Sequence, residues 1–204
     1  LTGGIFAGMF GMASVWGAMQ GLSFGQIAAF GGTLYLGGLV LQYPIGWASD
    51  RVDRRALIMW LSGVGAVLMV VASFVPLPFS LVLGVALLLG GIINPLYSLL
   101  IALTNDYLSK EDMPGASAGL IFLNGFGAIF GPLVSGWFMA QIGAGGYFLF
   151  LGLLFAALAG YAAWRISRRS GPVEQASFTG LSPTASSLAV GAVMEQEPRT
   201  RRAG

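Results

Sequence analysis

The chain has 204 residues, of which 56% are hydrophobic and only 9% are charged, whereas about 25% of a typical soluble domain is charged. Ten basic and eight acidic side chains cannot cover the surface of a water-soluble globule of this size. Cysteine and histidine are absent, which excludes disulfides, thiol nucleophiles, Cys/His zinc sites and triads that need imidazole. The composition therefore predicts an integral membrane protein.

The charged residues are clustered, and they separate three uncharged stretches, residues 1–49, 56–105 and 113–164. A membrane-spanning helix needs about 20 apolar residues, so each stretch accommodates two helices and a turn. We therefore predict an all-α membrane protein with six transmembrane helices. In chain order, the predicted spans are 2–20, 27–48, 56–74, 79–105, 115–139 and 146–165.

The predicted turns at 21–26, 76–78 and 143–146 are uncharged, so all ionisable side chains fall on the opposite side of the membrane. The positive-inside rule places that side in the cytoplasm. We expect a multi-pass protein of the cell inner membrane with both chain ends cytoplasmic. The six-span region would cover residues 1–169. Residues 170–204 are rich in Ser, Thr, Gly and Pro and are predicted to form a disordered cytoplasmic tail.

The first charged loop, between the second and third spans, carries the most informative residues. Gly46 lets one helix end close against a neighbour. Asp50 lies at the turn, where its carboxylate is expected to accept backbone N–H groups at the start of the next helix. Arg51, Arg54 and Arg55 fix the orientation of the loop and are able to bind phosphates or carboxylates.

This loop resembles the signature loop of the major facilitator superfamily, Gly-x-Leu-(Ala/Ser)-Asp-Arg-x-Gly-Arg-Arg. Ala48 stands in place of the usual Leu and Asp53 in place of the second Gly. With two further stretches, at 42–47 and 105–132, the sequence resembles the C-terminal half of bacterial facilitators of the YcaD-like kind over residues 1–166. The positions that match the signature are Gly46, Ser49, Asp50, Arg51, Arg54 and Arg55.

The resemblance implies that the chain is one half of a twelve-helix fold, with this loop between the eighth and ninth helices. In the family, the Asp and Arg of the loop bias the transporter between outward-open and inward-open states. Asp50 and Arg54 are therefore expected to act in gating, with their partner in the missing N-terminal half of the same transporter. Because the first span begins directly at Leu1, we interpret the chain as a fragment or as a half whose partner lies upstream.

Polar residues within the spans are costly in hydrocarbon and need partners or water. Asn94 is expected either to line a cavity or to form a hydrogen bond between helices, and Trp16 to line a cavity or to anchor the helix at the interface. Asp106, at the end of the fourth span, is expected to be solvated or to have a helix-terminal role. Glycine pairs four residues apart, such as Gly127 and Gly131, predict close helix packing. The candidate cavity-lining residues are Trp16, Gln20, Asn94, Tyr97 and Asn105.

The predicted function is secondary active or facilitated transport of a small solute by alternating access, which requires no catalytic residue, cofactor or metal. The expected partners are the lipid bilayer, the solute and the missing half, with no nucleic acid. Two alternatives remain open. One is a membrane enzyme whose metal would be held by Asp50, Asp53 and Asp106, and the other is a non-transporting sensor or scaffold. Sugars, amino-acid-like solutes and amphiphilic drugs all remain candidate substrates.

Overall fold

The computed structural model describes residues 1–107 and 113–168. Within these ranges every regular element is an α-helix, and there are six of them, as the sequence predicted. The predicted tail, 170–204, lies outside the described residues. The helices are α1 (Thr2–Met19), α2 (Phe24–Ser49), α3 (Arg54–Phe74), α4 (Phe79–Asn105), α5 (Met113–Ile142) and α6 (Gly145–Arg168).

Local side chains explain where these helices begin and end. The Ser23 side chain accepts the Gln26 backbone N–H, and the Gln26 side chain accepts the Ser23 N–H at 2.9 Å. This capping box starts α2 at Phe24, three residues before the predicted span, because it satisfies backbone donors that the helix itself leaves free. Gly21 and Gly143 have positive φ, and they lie in the turns where α1 and α5 end.

Among the described helices, α2 to α6 are long and apolar enough to cross a membrane. Helix α1 has 18 uncharged residues and is not among these five. Its repeated glycines bring it against α5. The backbone of Gly3 meets that of Asn124, and Gly4 lies between Gly127 and Gly131. The predicted close packing is confirmed at Gly4, Gly127 and Gly131, whereas a Cβ added at Gly115 or Gly119 would meet no atom within 4 Å.

The helices pack mainly as three pairs, α1 with α5, α2 with α4, and α3 with α6. Exchanging the first three helices with the last three converts the α1–α5 pair into the α4–α2 pair and leaves α3–α6 unchanged. This is the pairing expected of two three-helix repeats with inverted topology. The pairs meet in a buried core in which the Tyr147 hydroxyl donates a hydrogen bond to the Met9 carbonyl at 2.7 Å.

Helices α2 and α4 approach to backbone contact. A Cβ added at Gly37 would meet the Leu87 carbonyl, and one added at Gly90 would meet the Leu34 carbonyl. Neither neighbour can move aside, because both are backbone atoms of another helix. This crossing fixes the relative position of α2 and α4, whose ends form the candidate site described below.

We expect Gly90→Leu to force α2 and α4 apart. Overpacking a core typically costs about 1–3 kcal/mol, and the loss of stability here should be larger, because the obstacle is backbone. The matched control is Gly84→Leu, on an exposed part of the same helix with no atom within 4 Å of the added Cβ. Thermal unfolding in detergent should show a lower midpoint for Gly90→Leu alone. Equal midpoints for the two variants would contradict the close crossing.

Candidate functional site

The charged residues of the bundle meet at the end where α2 and α4 finish and α3 begins, here called the charged end. Arg54 is the first residue of α3, and it is completely buried. Its Nε donates to Ser49 Oγ at 3.1 Å, and its Nη1 donates to Asp106 Oδ2 at 2.7 Å. Its Nη2 lies 3.9 Å from Oδ1 of Asp50. One guanidinium therefore joins the ends of three helices.

Asp106 follows the last residue of α4, and its side chain is as fully buried as that of Arg54. The helix-terminal position expected from the sequence is confirmed, but the carboxylate is not solvated. The two groups lie 52 residues apart in the chain, so no local pattern predicts their pairing. One feature of the sequence is consistent with this pairing. Asp106 is the first charged residue after the uncharged stretch 56–105, so it is expected on the same side of the membrane as Arg54.

The residue that caps α3 is Asp53, which replaces the second glycine of the signature. Its Oδ1 accepts the Arg55 backbone N–H at 2.9 Å. The Arg55 guanidinium donates two further hydrogen bonds to the carboxylate, from Nε to Oδ1 at 3.2 Å and from Nη2 to Oδ2 at 2.9 Å. The expectation that Asp50 fills this role was wrong, because α3 begins at Arg54 and its N-cap is the residue directly before it. The side-chain hydrogen bond from Arg55 holds the pKa of Asp53 below its ordinary value, against the opposing effect of partial burial.

The outer face of the loop is exposed and lies along α2. Arg51 donates to the Trp47 carbonyl at 3.0 Å, and its guanidinium lies 4.0 Å above the Trp47 ring. Gly46 is buried, and its carbonyl accepts the Asp50 N–H at 3.3 Å. A groove of about 510 Å³ runs along α2. It is lined by Leu39, Gln42, Tyr43, Gly46, Trp47 and Asp50.

The structure does not bring the candidate cavity-lining residues into one cavity. Trp16 and Gln20 share a pocket of about 410 Å³ at the uncharged end, beside the connection between α3 and α4. Asn94 lies against Gly38 of α2, and its amide donates to the Gly90 carbonyl of its own helix at 2.9 Å. Tyr97 is buried in α4. The side chain of Asn105 lies outside the described residues.

The arrangement of carboxylates bears on the alternative of a metal enzyme. In residues 1–107 and 113–168, no group of three acidic side chains is placed to hold a metal ion. The Arg54 guanidinium lies between the carboxylates of Asp50 and Asp106. A cation at this position would have to displace it.

The apolar helices and the charged loop define a multi-pass helical membrane protein. A family model described as Major Facilitator Superfamily matches residues 1–197, and the chain belongs to this family. The match extends past residue 166, where the resemblance in the sequence ended. An uncharacterized MFS-type transporter of Bacillus subtilis (strain 168), YfkF, is 25% identical over 151 residues, which cover 72% of this chain and 38% of the relative. The chain thus spans well under half the length of that relative.

Removing one member of the buried pair should be far more damaging than removing an exposed arginine. We expect Arg54→Met to cost about 3–5 kcal/mol of unfolding free energy, because it removes the guanidinium that pairs with the buried Asp106 carboxylate. Arg51→Met should cost at most about 1 kcal/mol. The double variant Arg54→Met/Asp106→Leu should recover most of the loss. SDS titration in mixed micelles measures all three, and a double variant no better than Arg54→Met would refute the pairing.

The cap of α3 should contribute in a pH-dependent way. Asp53→Ala should cost about 1 kcal/mol at neutral pH. Because the folded-state pKa of Asp53 is lowered, the contribution of its charge is complete above the ordinary Asp value of about 3.9 and is lost as the pH falls through the folded-state value. Unfolding of wild type, Asp53→Ala and the neutral cap Asp53→Asn at pH 3 to 7 checks this. A pH-independent difference between wild type and Asp53→Asn would contradict it.

Proposed function

We propose that the chain is the C-terminal six-helix half of a twelve-helix secondary transporter, which carries a small solute across the cell inner membrane by alternating access. Family membership and the match to an MFS-type transporter support transport. The signature loop and the short coverage of that relative support the assignment as one half. The clustering of charge at one end supports a cytoplasmic position for that end and for both chain ends. The resemblance to YcaD-like members stays a prediction.

The observation that carries this proposal is the buried contact of Arg54 with Asp106 and Asp50. Burying an ion pair costs several kcal/mol per ion in desolvation, so the pair contributes little net stability. Such a pair is better suited to specifying one of two arrangements of the helices. Here the pair ties the end of α4 to the junction of α2 and α3. If this ion pair forms in one state of the transporter and breaks in the other, it would control whether the solute path is open at the charged end.

The surface beside Asp50 is suited to the missing N-terminal half. The Asp50 side chain is 43% exposed and lies at the end of the α2 groove. Large apolar side chains are exposed along α2, and others are exposed along α5. They include Tyr35, Leu39, Tyr43, Trp47, Phe122, Phe126, Leu133 and Trp137. Contact of the other half with Asp50 would change the charge that faces Arg54, and so couple the two halves.

The polar candidates inside the spans, Gln20, Asn94, Tyr97 and Asn105, are all neutral. In this half they favour a solute without strong net charge. Sugars, amino-acid-like solutes and amphiphilic drugs fit that description, and the other half would complete the selection. If coupling to protons operates, the acid that carries it belongs to the other half, because Asp106 is committed to Arg54.

The proposal is tested by solute flux into proteoliposomes that contain the whole transporter. The probes are a labelled sugar, a labelled neutral amino acid and a labelled amphiphilic drug without net charge. Flux of at least one probe above protein-free liposomes is expected. A non-transporting sensor or scaffold would give none, and that result would overturn the proposal.

The same assay tests gating. Asp50→Lys should slow the flux at least about tenfold, equivalent to about 1.4 kcal/mol, while membrane insertion stays intact. Asp53→Lys is the matched control, because it reverses a charge in the same loop at a residue that pairs with Arg55. Equal flux in Asp50→Lys and wild type would refute the gating role of Asp50.

A further inference from the structure

A second pocket opens at the charged end, and it shares no lining residue with the α2 groove. Its volume is about 430 Å³, and it lies between α3, α4 and α6. None of its lining residues belongs to the buried ion pair of Arg54 and Asp106. They are Arg55, Ile58, Leu100, Leu103, Thr104, Tyr107, Leu158, Tyr161, Ala162 and Arg165.

The polar and apolar lining residues are separated along the helix axes. Arg55, Tyr107 and Arg165 lie at the helix ends and form the mouth. Ile58 and Leu158 lie deeper, and both are almost completely buried. Leu158 and Arg165 are seven residues apart on α6, so the pocket extends about 10 Å from its cationic mouth to its apolar floor. A ligand that fits this division has an anionic group joined to a hydrocarbon chain.

The charge at the mouth is positive, and the described lining contains no carboxylate. Arg55 is paired with Asp53, which is not a lining residue. Arg165 has no carboxylate within 4 Å among the described residues, and its guanidinium lies 6.0 Å from the Tyr161 ring. A phosphate would find guanidinium and phenol donors here, whereas the ammonium group of a zwitterionic lipid would find no acidic partner in the described lining.

We propose that this pocket binds an anionic phospholipid from the leaflet at the charged end of the bundle. Arg165 and Arg55 contact the phosphate, and the hydroxyls of Tyr107 and Tyr161 donate to its oxygens. One acyl chain runs along Ile58, Leu100, Leu103 and Leu158 into the apolar part of the pocket. Basic pockets between transmembrane helices are suited to lipid headgroups. The site is independent of solute transport and would persist in a non-transporting protein of this fold.

The test is native mass spectrometry of the whole protein in detergent with added phosphatidylglycerol. Wild type should retain bound lipid, and Arg165→Gln should weaken binding about fivefold or more. The matched control is Arg168→Gln, which removes the same charge from an exposed position on the same helix that does not line the pocket. Ala162→Trp fills the pocket without changing charge and should weaken binding as much as Arg165→Gln.

Three further measurements distinguish a lipid site from a site for free phosphate, from nonspecific attraction and from occupation by the chain itself. Phosphatidylethanolamine should bind more weakly than phosphatidylglycerol, and inorganic phosphate at millimolar concentration should neither displace the lipid nor raise the thermal midpoint. Equal losses in Arg165→Gln and Arg168→Gln would overturn the proposal in favour of nonspecific attraction. Binding that appears only after removal of residues 170–204 would overturn it in favour of the chain's own C-terminal segment as the occupant.

Discussion

A guanidinium completely removed from water must be paired and hydrogen-bonded, or the fold that buries it is lost. Arg54 meets this requirement with Asp106, Ser49 and Asp50, which come from the ends of two other helical segments. The end of α4 must therefore stand at a fixed distance from the junction of α2 and α3. The arrangement of the charged end depends on this one side chain.

The end of α4 reaches the junction of α2 and α3 because α2 and α4 are in backbone contact. Leu34 and Leu87 present carbonyl groups where Gly90 and Gly37 lack a side chain. In hydrocarbon there is little hydrophobic drive between helices, so close backbone approach and van der Waals contact must hold them together. The glycines thus affect the site without being part of it. They place the α4 terminus where a short aspartate can reach a guanidinium that belongs to α3.

The number of helices, their turns and the presence of glycines that allow close helix packing could be predicted, because each depends on local composition and spacing. The pairing of Arg54 with Asp106 could not, because it joins residues that only the folded bundle brings together. The cap of α3 is Asp53 and not the expected Asp50, since both are acidic residues of one loop and the charge pattern does not distinguish them. The candidate cavity residues rest on their polarity and on their positions along the spans. Polarity does not distinguish Asn94, which bonds to its own helix, from Gln20 in an open pocket.

Three arginines at the charged end have the same chemistry and three different environments. Arg54 is buried and paired with Asp106, Arg55 is paired with the cap residue Asp53, and Arg165 faces a pocket whose described lining has no acid. Burial decides what each can do. A buried pair responds to rearrangement of helix ends, a pair at the helix start stabilises that start, and a cation at an open apolar pocket is suited to an anion with a hydrocarbon tail. The positive-inside rule counts these residues equally, but their effects on the protein follow from the neighbours that the fold gives each one.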